Sequence, residues 1–238
     1  MLVSDTPDHY FTASPASVDE RRTLSVDLAG RTVDVEVASG VFSPGRLDLG
    51  TRVLLRSVPE LPQSLTGTPA PAPTDRTAPA AAAAGEETIG SDPAAGGQNF
   101  LDLGCGWGPV ALTMALERPT ATVWAVDVNE RSLDLTRRNA ASLGATGVRA
   151  VRPDDVPDDV RFDAIWSNPP IRVGKEALHA MLELWLPRLA PDGVAHLVVQ
   201  RNLGADSLAR WMDEHLDGLA SSRSASAKGF RVLEVRHR

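Results

Sequence analysis

Cysteine is nearly absent from this 238-residue chain; Cys105 stands alone, which excludes an intramolecular disulfide. Long apolar runs are missing too, so no segment reads as a bilayer span. The first residues, MLVSDTPDHY, lack the charged-then-apolar layout of a secretory leader. Together these absences give a cytoplasmic location as the expectation. A basic excess is also missing. The formal net charge is −7, which weighs against a nucleic-acid partner because phosphate contacts need Lys and Arg. The acid is unevenly spread, however. Residues 60–98 hold Glu60, Asp75, Glu86, Glu87 and Asp92 against Arg76 alone, and the field at a cleft matters more than the total. The histidines show no metal-ligand spacing, so no metal is expected. What remains, 42% hydrophobic and 23% charged, suits one α/β domain with an appendage.

The chain divides into three parts: 1–61, 62–98 and 99–238. Residues 62–98 are rich in Pro, Ala, Gly, Ser and Thr and nearly devoid of large apolar side chains. Such a stretch cannot bury enough surface to offset its conformational entropy and reads as a disordered insertion. Before it, Leu24–Leu28 and Val33–Val37 alternate apolar and polar, the strand period, around a turn at Ala29-Gly30-Arg31. Thr51 onward reads as a short helix. After the insertion strands and helices alternate. Strands are expected at 100–103, 122–127, 148–151, 162–167 and 193–200, and helices at 109–117, 130–143, 174–189 and 207–216. Two further strands, 222–228 and 230–236, follow with no helix between them. This order predicts a doubly wound, mostly parallel seven-stranded sheet with an antiparallel C-terminal hairpin and a small N-terminal β-hairpin extension. Sheets of this kind bind ligands beyond the carboxyl ends of their strands.

The first motif follows the first strand after the insertion: Leu101-Asp-Leu-Gly-Cys-Gly-Trp-Gly-Pro109. Its glycines, 104, 106 and 108, form G-x-G-x-G between a strand and a helix, not the G-x-G-x-x-G of dinucleotide loops. The spacing favours a nucleoside without a pyrophosphate, such as S-adenosylmethionine. Asp127 ends the next strand, where a carboxylate accepts both ribose hydroxyls. Its alternative role is to cap the helix after Asn129. Asp155 is a candidate acceptor for the adenine amino group, or part of a solvated acidic loop. Asp102, at the end of its strand, is a candidate partner for the cofactor's ammonium group.

The second motif ends the fourth strand of that series: Ser167-Asn-Pro-Pro-Ile-Arg-Val-Gly-Lys175. Proline carries no amide donor, so the Asn168 and Pro169 carbonyls are expected to face a ligand. An exocyclic amine donates two protons, and the Asn168 side-chain oxygen and the Pro169 carbonyl can accept them. Two acceptors off the ring plane favour a pyramidal nitrogen whose lone pair faces a methyl donor. This makes Asn168, Pro169 and Pro170 the candidate catalytic set, with Asn168 also bordering the cofactor. Ile171, Arg172 and Lys175 are candidate substrate contacts, the two cations being equally suited to solvating the next helix. Phe42 is suited to stacking on a base or to packing a lid. Trp107, Trp124, Trp166, Trp185 and Trp211 read as core, and Cys105 as a small filler.

With these residues in view, the chain resembles the methyltransferase small domain family, typified by guanine-N2 methyltransferases of small-subunit ribosomal RNA. The matching pieces are His9-Tyr-Phe11, Gly40-Val-Phe-Ser43, Leu47-Asp-Leu-Gly-Thr51, the glycine loop, and Ser167–Glu176 with His179. The resemblance implies a class I, Rossmann-like fold with S-adenosylmethionine as cofactor. It also implies that Asn168 and Pro169 hold the target amine, and that Phe42–Thr51 folds over the cleft. The implied partner is ribosomal RNA or the small subunit, without membrane or metal, and the chain reads as a monomer. A protein-glutamine or small-molecule N-methyltransferase is the competing reading, which the acidic charge would suit. The chain departs from the family pattern in having room for one copy of the domain and in carrying the 62–98 insertion.

Overall fold

The computed structural model describes residues 18–62 and 97–238. Most of the 62–98 segment, and His9–Phe11, therefore lie outside the described residues. The segment's two ends meet: the Gln98 side chain donates to the Pro62 carbonyl at 2.8 Å, and Arg118 donates to the Leu61 and Pro62 carbonyls.

A two-stranded antiparallel hairpin comes first, β1 (Arg21–Leu28) and β2 (Arg31–Ala38). Ala29 and Gly30 both have positive φ, the type I′ turn whose twist matches that of the strands. Helix α1 (Leu49–Ser57) follows. The central sheet is built from β3 (Asn99–Leu103), β4 (Thr122–Val126), β5 (Val148–Val151), β6 (Phe162–Ser167), β7 (Leu189–Gln200), β8 (Leu219–Ala227) and β9 (Phe230–His237), in the spatial order β5-β4-β3-β6-β7-β9-β8. The first five strands run parallel, while β9 pairs antiparallel with both β7 and β8. The sheet matches the sequence expectation in strand number, direction and C-terminal hairpin.

Helices cover both faces. On one face α1 and α2 (Pro109–Glu117) bring Val53, Leu54, Val110, Ala111 and Met114 against Phe100, Trp166, Val198 and Val232; Leu133 of α3 (Glu130–Ser142) joins them. On the other, α4 (Lys175–Trp185) and α5 (Ala205–His215) pack Leu178, Leu182, Leu208 and Met212 against Leu101, Leu103, Ile165 and Leu197. Helix α4 stops four residues earlier than periodicity suggests. Pro187 has no N–H to continue the ladder, so the α-helix ends and the chain tightens into a 3₁₀ turn at Leu186–Arg188. β7 then begins at Leu189, ahead of Pro191.

The order of strands reverses between β3 and β6. The first connections step outward through β4 to β5; the chain then returns to β6 on the opposite side of β3. β3 and β6 are in register, with Leu103 opposite Ser167, and the Ser167 hydroxyl donates to the Leu103 carbonyl at 2.6 Å. The two sequence motifs therefore leave the sheet from neighbouring positions at its switch point.

The hairpin packs behind the glycine motif. Val26, Leu28, Val35 and Val37 form an apolar cluster with Trp107, Leu112, Leu135 and Ala140. One buried amide locks the junction. The Asn139 side chain accepts from Glu36 N at 2.6 Å and donates to the Glu36 and Trp107 carbonyls, both at 3.0 Å. Removing it strands three polar groups in a junction with little access to water. Asn139→Ala is expected to lower stability by about 2–4 kcal/mol, read as a shift of the urea midpoint with an unchanged slope.

Candidate active site

One cleft of about 600 Å³ opens at the carboxyl ends of β3, β4, β6 and β7. Gly104, Gly106, Asp127, Asn168, Pro169, Pro170, Ile171 and Phe42 all line it, so the two motifs share a single pocket. Its polar atoms converge in a largely apolar wall, the usual make-up of a small-molecule site.

The glycine loop is pinned from below. The amides of Gly104 and Cys105 both donate to the Val126 carbonyl, at 2.9 and 3.0 Å. A methyl group on Gly106 would meet nothing within 4 Å, and one on Gly104 would only graze Pro170 at 4.0 Å. Both therefore leave open space into which a ligand can come close to the backbone. Gly108 differs. It does not line the cleft, its φ is +95°, and a Cβ there would sit 2.9 Å from the Thr136 hydroxyl. The third glycine of the motif lets α2 start against α3, a packing role in place of the cofactor contact expected from the sequence.

Asp127 stands at the mouth of the loop. Its carboxylate accepts from Gly106 N and Asn129 N, each at 2.9 Å. Burial pushes its pKa up to about 6, against these amide bonds that pull it down. Asp102 lies deeper. Its carboxyl accepts from Ala111 N in the first turn of α2 at 2.8 Å, and burial, with the charge of Asp127 adding, pushes its pKa up to about 8. Both carboxyls thus hold a proton more readily than a free aspartate, Asp102 more so than Asp127. Asp102 borders a small recess beside the cleft, not the cleft itself, and serves first as an anchor for the helix start.

Asn168 is oriented by the N-terminal part of the chain. Its side-chain nitrogen donates to Asp48 Oδ2 at 2.9 Å and to the Thr51 hydroxyl at 3.0 Å. The side-chain oxygen is left as the acceptor. The Pro169 carbonyl accepts from Ile171 N at 2.8 Å, so one of its two lone-pair directions is already used, contrary to the sequence expectation of a free carbonyl. Phe42 lies on the rim and is 37% exposed.

Two other expected residues are placed elsewhere. Asp155 sits exposed in the 3₁₀ turn Pro153–Asp155, where its carboxylate accepts from Arg152 N at 3.3 Å; Pro153, not Asp155, reaches the cleft. An exposed place on this turn is the solvated alternative of the two readings given for Asp155. Lys175 opens α4 and borders a separate surface hollow with His179 and Trp211, whose rings stack 3.5 Å apart. The Arg172 side chain is outside the described residues. Conversely, Gln200, Leu203 and Phe230 line the cleft without having been singled out, and Asp48 lines it from within the Phe42–Thr51 segment that the resemblance places over the cleft. An aspartate just before a helix is a legible N-cap, and Asp48 does cap α1 by accepting from Gly50 N and Thr51 N. Nothing local signals Phe230, which reaches the site only because β9 pairs with β7, with Gln200 opposite it.

Comparison with known proteins agrees with this geometry. The model of the methyltransferase small domain family matches residues 90–234, more than half of the chain. The uncharacterized protein YbxB of Bacillus subtilis is 28% identical over 232 residues, covering 96% of this chain and 98% of its own length. Ribosomal RNA small subunit methyltransferase C of Aeromonas hydrophila is 32% identical over 166 residues, covering 69% of this chain but only 36% of that protein. The chain thus spans about a third of that relative. Among solved structures, the T. thermophilus 16S rRNA N2 methyltransferase RsmC, in complex with AdoMet and guanosine, superposes with a TM-score of 0.67 at 23% identity, over 94% of this chain and 52% of that one. At that identity the likeness speaks for the fold, which is that of the class I, S-adenosylmethionine-dependent methyltransferases. The chain belongs to the methyltransferase small domain family.

Proposed function

We propose that this methyltransferase acts on an exocyclic amine of a nucleobase, guanine N2 in small-subunit ribosomal RNA, with S-adenosylmethionine as cofactor. The observation that carries this reading is the shared cleft, in which Gly104, Gly106 and Asp127 face the same space as Asn168 and Pro169. The residues present fit the cofactor. Two glycines open onto the cleft where a side chain would fill it, and the half-buried Asp127 carboxylate stands beside them. S-adenosylmethionine supplies a methyl group made electrophilic by its sulfonium. Asp127 would hold the ribose hydroxyls with the lone pairs its amide donors leave open.

The rest falls to Asn168 and Pro169. An aryl amine is a poor nucleophile because its lone pair is delocalised into the ring. The Asn168 side-chain oxygen and the second lone pair of the Pro169 carbonyl accept its two protons. They favour the pyramidal nitrogen and complement the positive charge that grows on it. No base need act first, because the nitrogen becomes acidic once alkylated. Pro170 and Ile171 add apolar surface to the wall of the cleft beside them. The relation to ribosomal RNA small subunit methyltransferase C supports RNA as the substrate, and guanine N2 is the amine of that reading.

Asn168→Ala should abolish methyl transfer from labelled cofactor to small ribosomal subunits taken from cells lacking the protein. Its affinity for S-adenosylhomocysteine should stay within a few-fold of wild type. Retained transfer would refute the assignment, and labelling of bulk protein in place of RNA would favour the glutamine reading. Cofactor binding should also depend on pH. Because the ionised form of Asp127 accepts the ribose hydroxyls, the Kd for S-adenosylhomocysteine should be flat above neutrality. It should rise as pH falls through about 6, approaching about tenfold per unit. In calorimetric titrations Asp127→Asn should bind more weakly at neutral pH and lose this dependence.

A further inference from the structure

The family match begins at residue 90, yet the Asn168 side chain donates its hydrogen bonds to residues 48 and 51. One oxygen, Asp48 Oδ2, does two tasks. It caps α1 by accepting from Gly50 N at 2.7 Å and Thr51 N at 3.2 Å, and it accepts from Asn168 Nδ2 at 2.9 Å. The start of α1 is pressed against the site. A Cβ on Gly50 would lie 3.0 Å from Asp48 Oδ2, 3.0 Å from the Phe230 ring and 3.2 Å from Asn168 Oδ1. Asp48 itself lines the cleft, and Thr51 is buried.

A carboxylate accepts hydrogen bonds and donates none. Beside Asp48, an amide flipped about its last torsion would set Asn168 Oδ1 against a carboxylate oxygen. That arrangement is repulsive, and the observed one is a charge-assisted bond. We propose that Asp48 is a positioning residue for methyl transfer. It fixes which end of the Asn168 amide faces the substrate, so that the catalytic site is complete only with the α1 segment outside the matched domain. This inference rests on the reading of Asn168 as the acceptor for the amine.

The test separates the cap from the coupling. Asp48→Ser keeps an N-cap side chain but is too short to reach Asn168, while Asp48→Asn keeps an oxygen at the same place. Two readouts are taken on the full chain: kcat on small ribosomal subunits from cells lacking the protein, and the Asn168 side-chain amide pair in the ¹H–¹⁵N spectrum, assigned by its loss in Asn168→Ala. In Asp48→Ser, kcat should fall about 10- to 100-fold, the scale of a misplaced contact group. The Asn168 amide protons should move and lose protection from exchange, with Kd for S-adenosylhomocysteine unchanged. Asp48→Asn should restore most of both. An Asp48→Ser protein with wild-type kcat overturns the inference and leaves the Asn168 reading intact, provided Asn168→Ala is inactive. Retained activity in Asn168→Ala overturns both. If wild-type protein does not methylate these subunits, the substrate reading falls. The amide spectrum then decides, since an Asn168 signal unmoved in Asp48→Ser overturns the coupling.

Discussion

The parallel register of β3 with β6 is the constraint on which the site depends. Leu103 faces Ser167 across the sheet, and the Ser167 hydroxyl ties the two strand ends together. The residues that follow, Gly104 and Asn168, are therefore neighbours although 64 positions separate them. Because the order of strands reverses here, no crossover helix runs over the gap, and the gap becomes the cleft. A slip of one residue in this pairing would turn every side chain of one strand to the other face and separate the two loops.

Around that junction the fold uses buried polar groups where directional fixing is needed. Asn139 joins the N-terminal hairpin to the carbonyl of Trp107 in the glycine loop, and Asp102 holds the first turn of α2. Asp127 binds the loop's own amide at Gly106. Each is a single side chain that satisfies backbone groups of the loop or its flanks, so the loop is held by several bonds within the protein. Preorganisation of this kind lets binding and catalysis avoid the cost of ordering. Burial also sets the two carboxyls of the motif region apart, raising the pKa of Asp102 further than that of Asp127.

Much of this was legible in the sequence. Helix α2 and strands β5 and β6 run between the residues at which periodicity and punctuation put them, and the glycine and Asn-Pro-Pro motifs meet as their places in the strand order require. What was not legible shares a cause: it depends on contacts between distant segments or on the geometry of a single turn. Gly108 looks like a ligand-binding glycine until Thr136 is seen behind it. For Asp155 the sequence left two readings open, and the 3₁₀ turn sets it exposed with its carboxylate on Arg152 N. Asp48 stands in the segment expected over the cleft, but its bond to Asn168 comes from the packing of α1 over β7 and β9. Phe230 enters the cleft through an antiparallel pairing that no local pattern specifies.

The central claim is that one pocket holds the nucleoside at Asp127 and presents the reacting end at Asn168. A crystal structure of the protein with S-adenosylhomocysteine tests this most directly. The account predicts ribose hydroxyls on the Asp127 carboxylate and the thioether sulfur directed toward Asn168 and Pro169. A nucleoside bound outside this cleft, or seated with its sulfur turned away from Asn168, would contradict it.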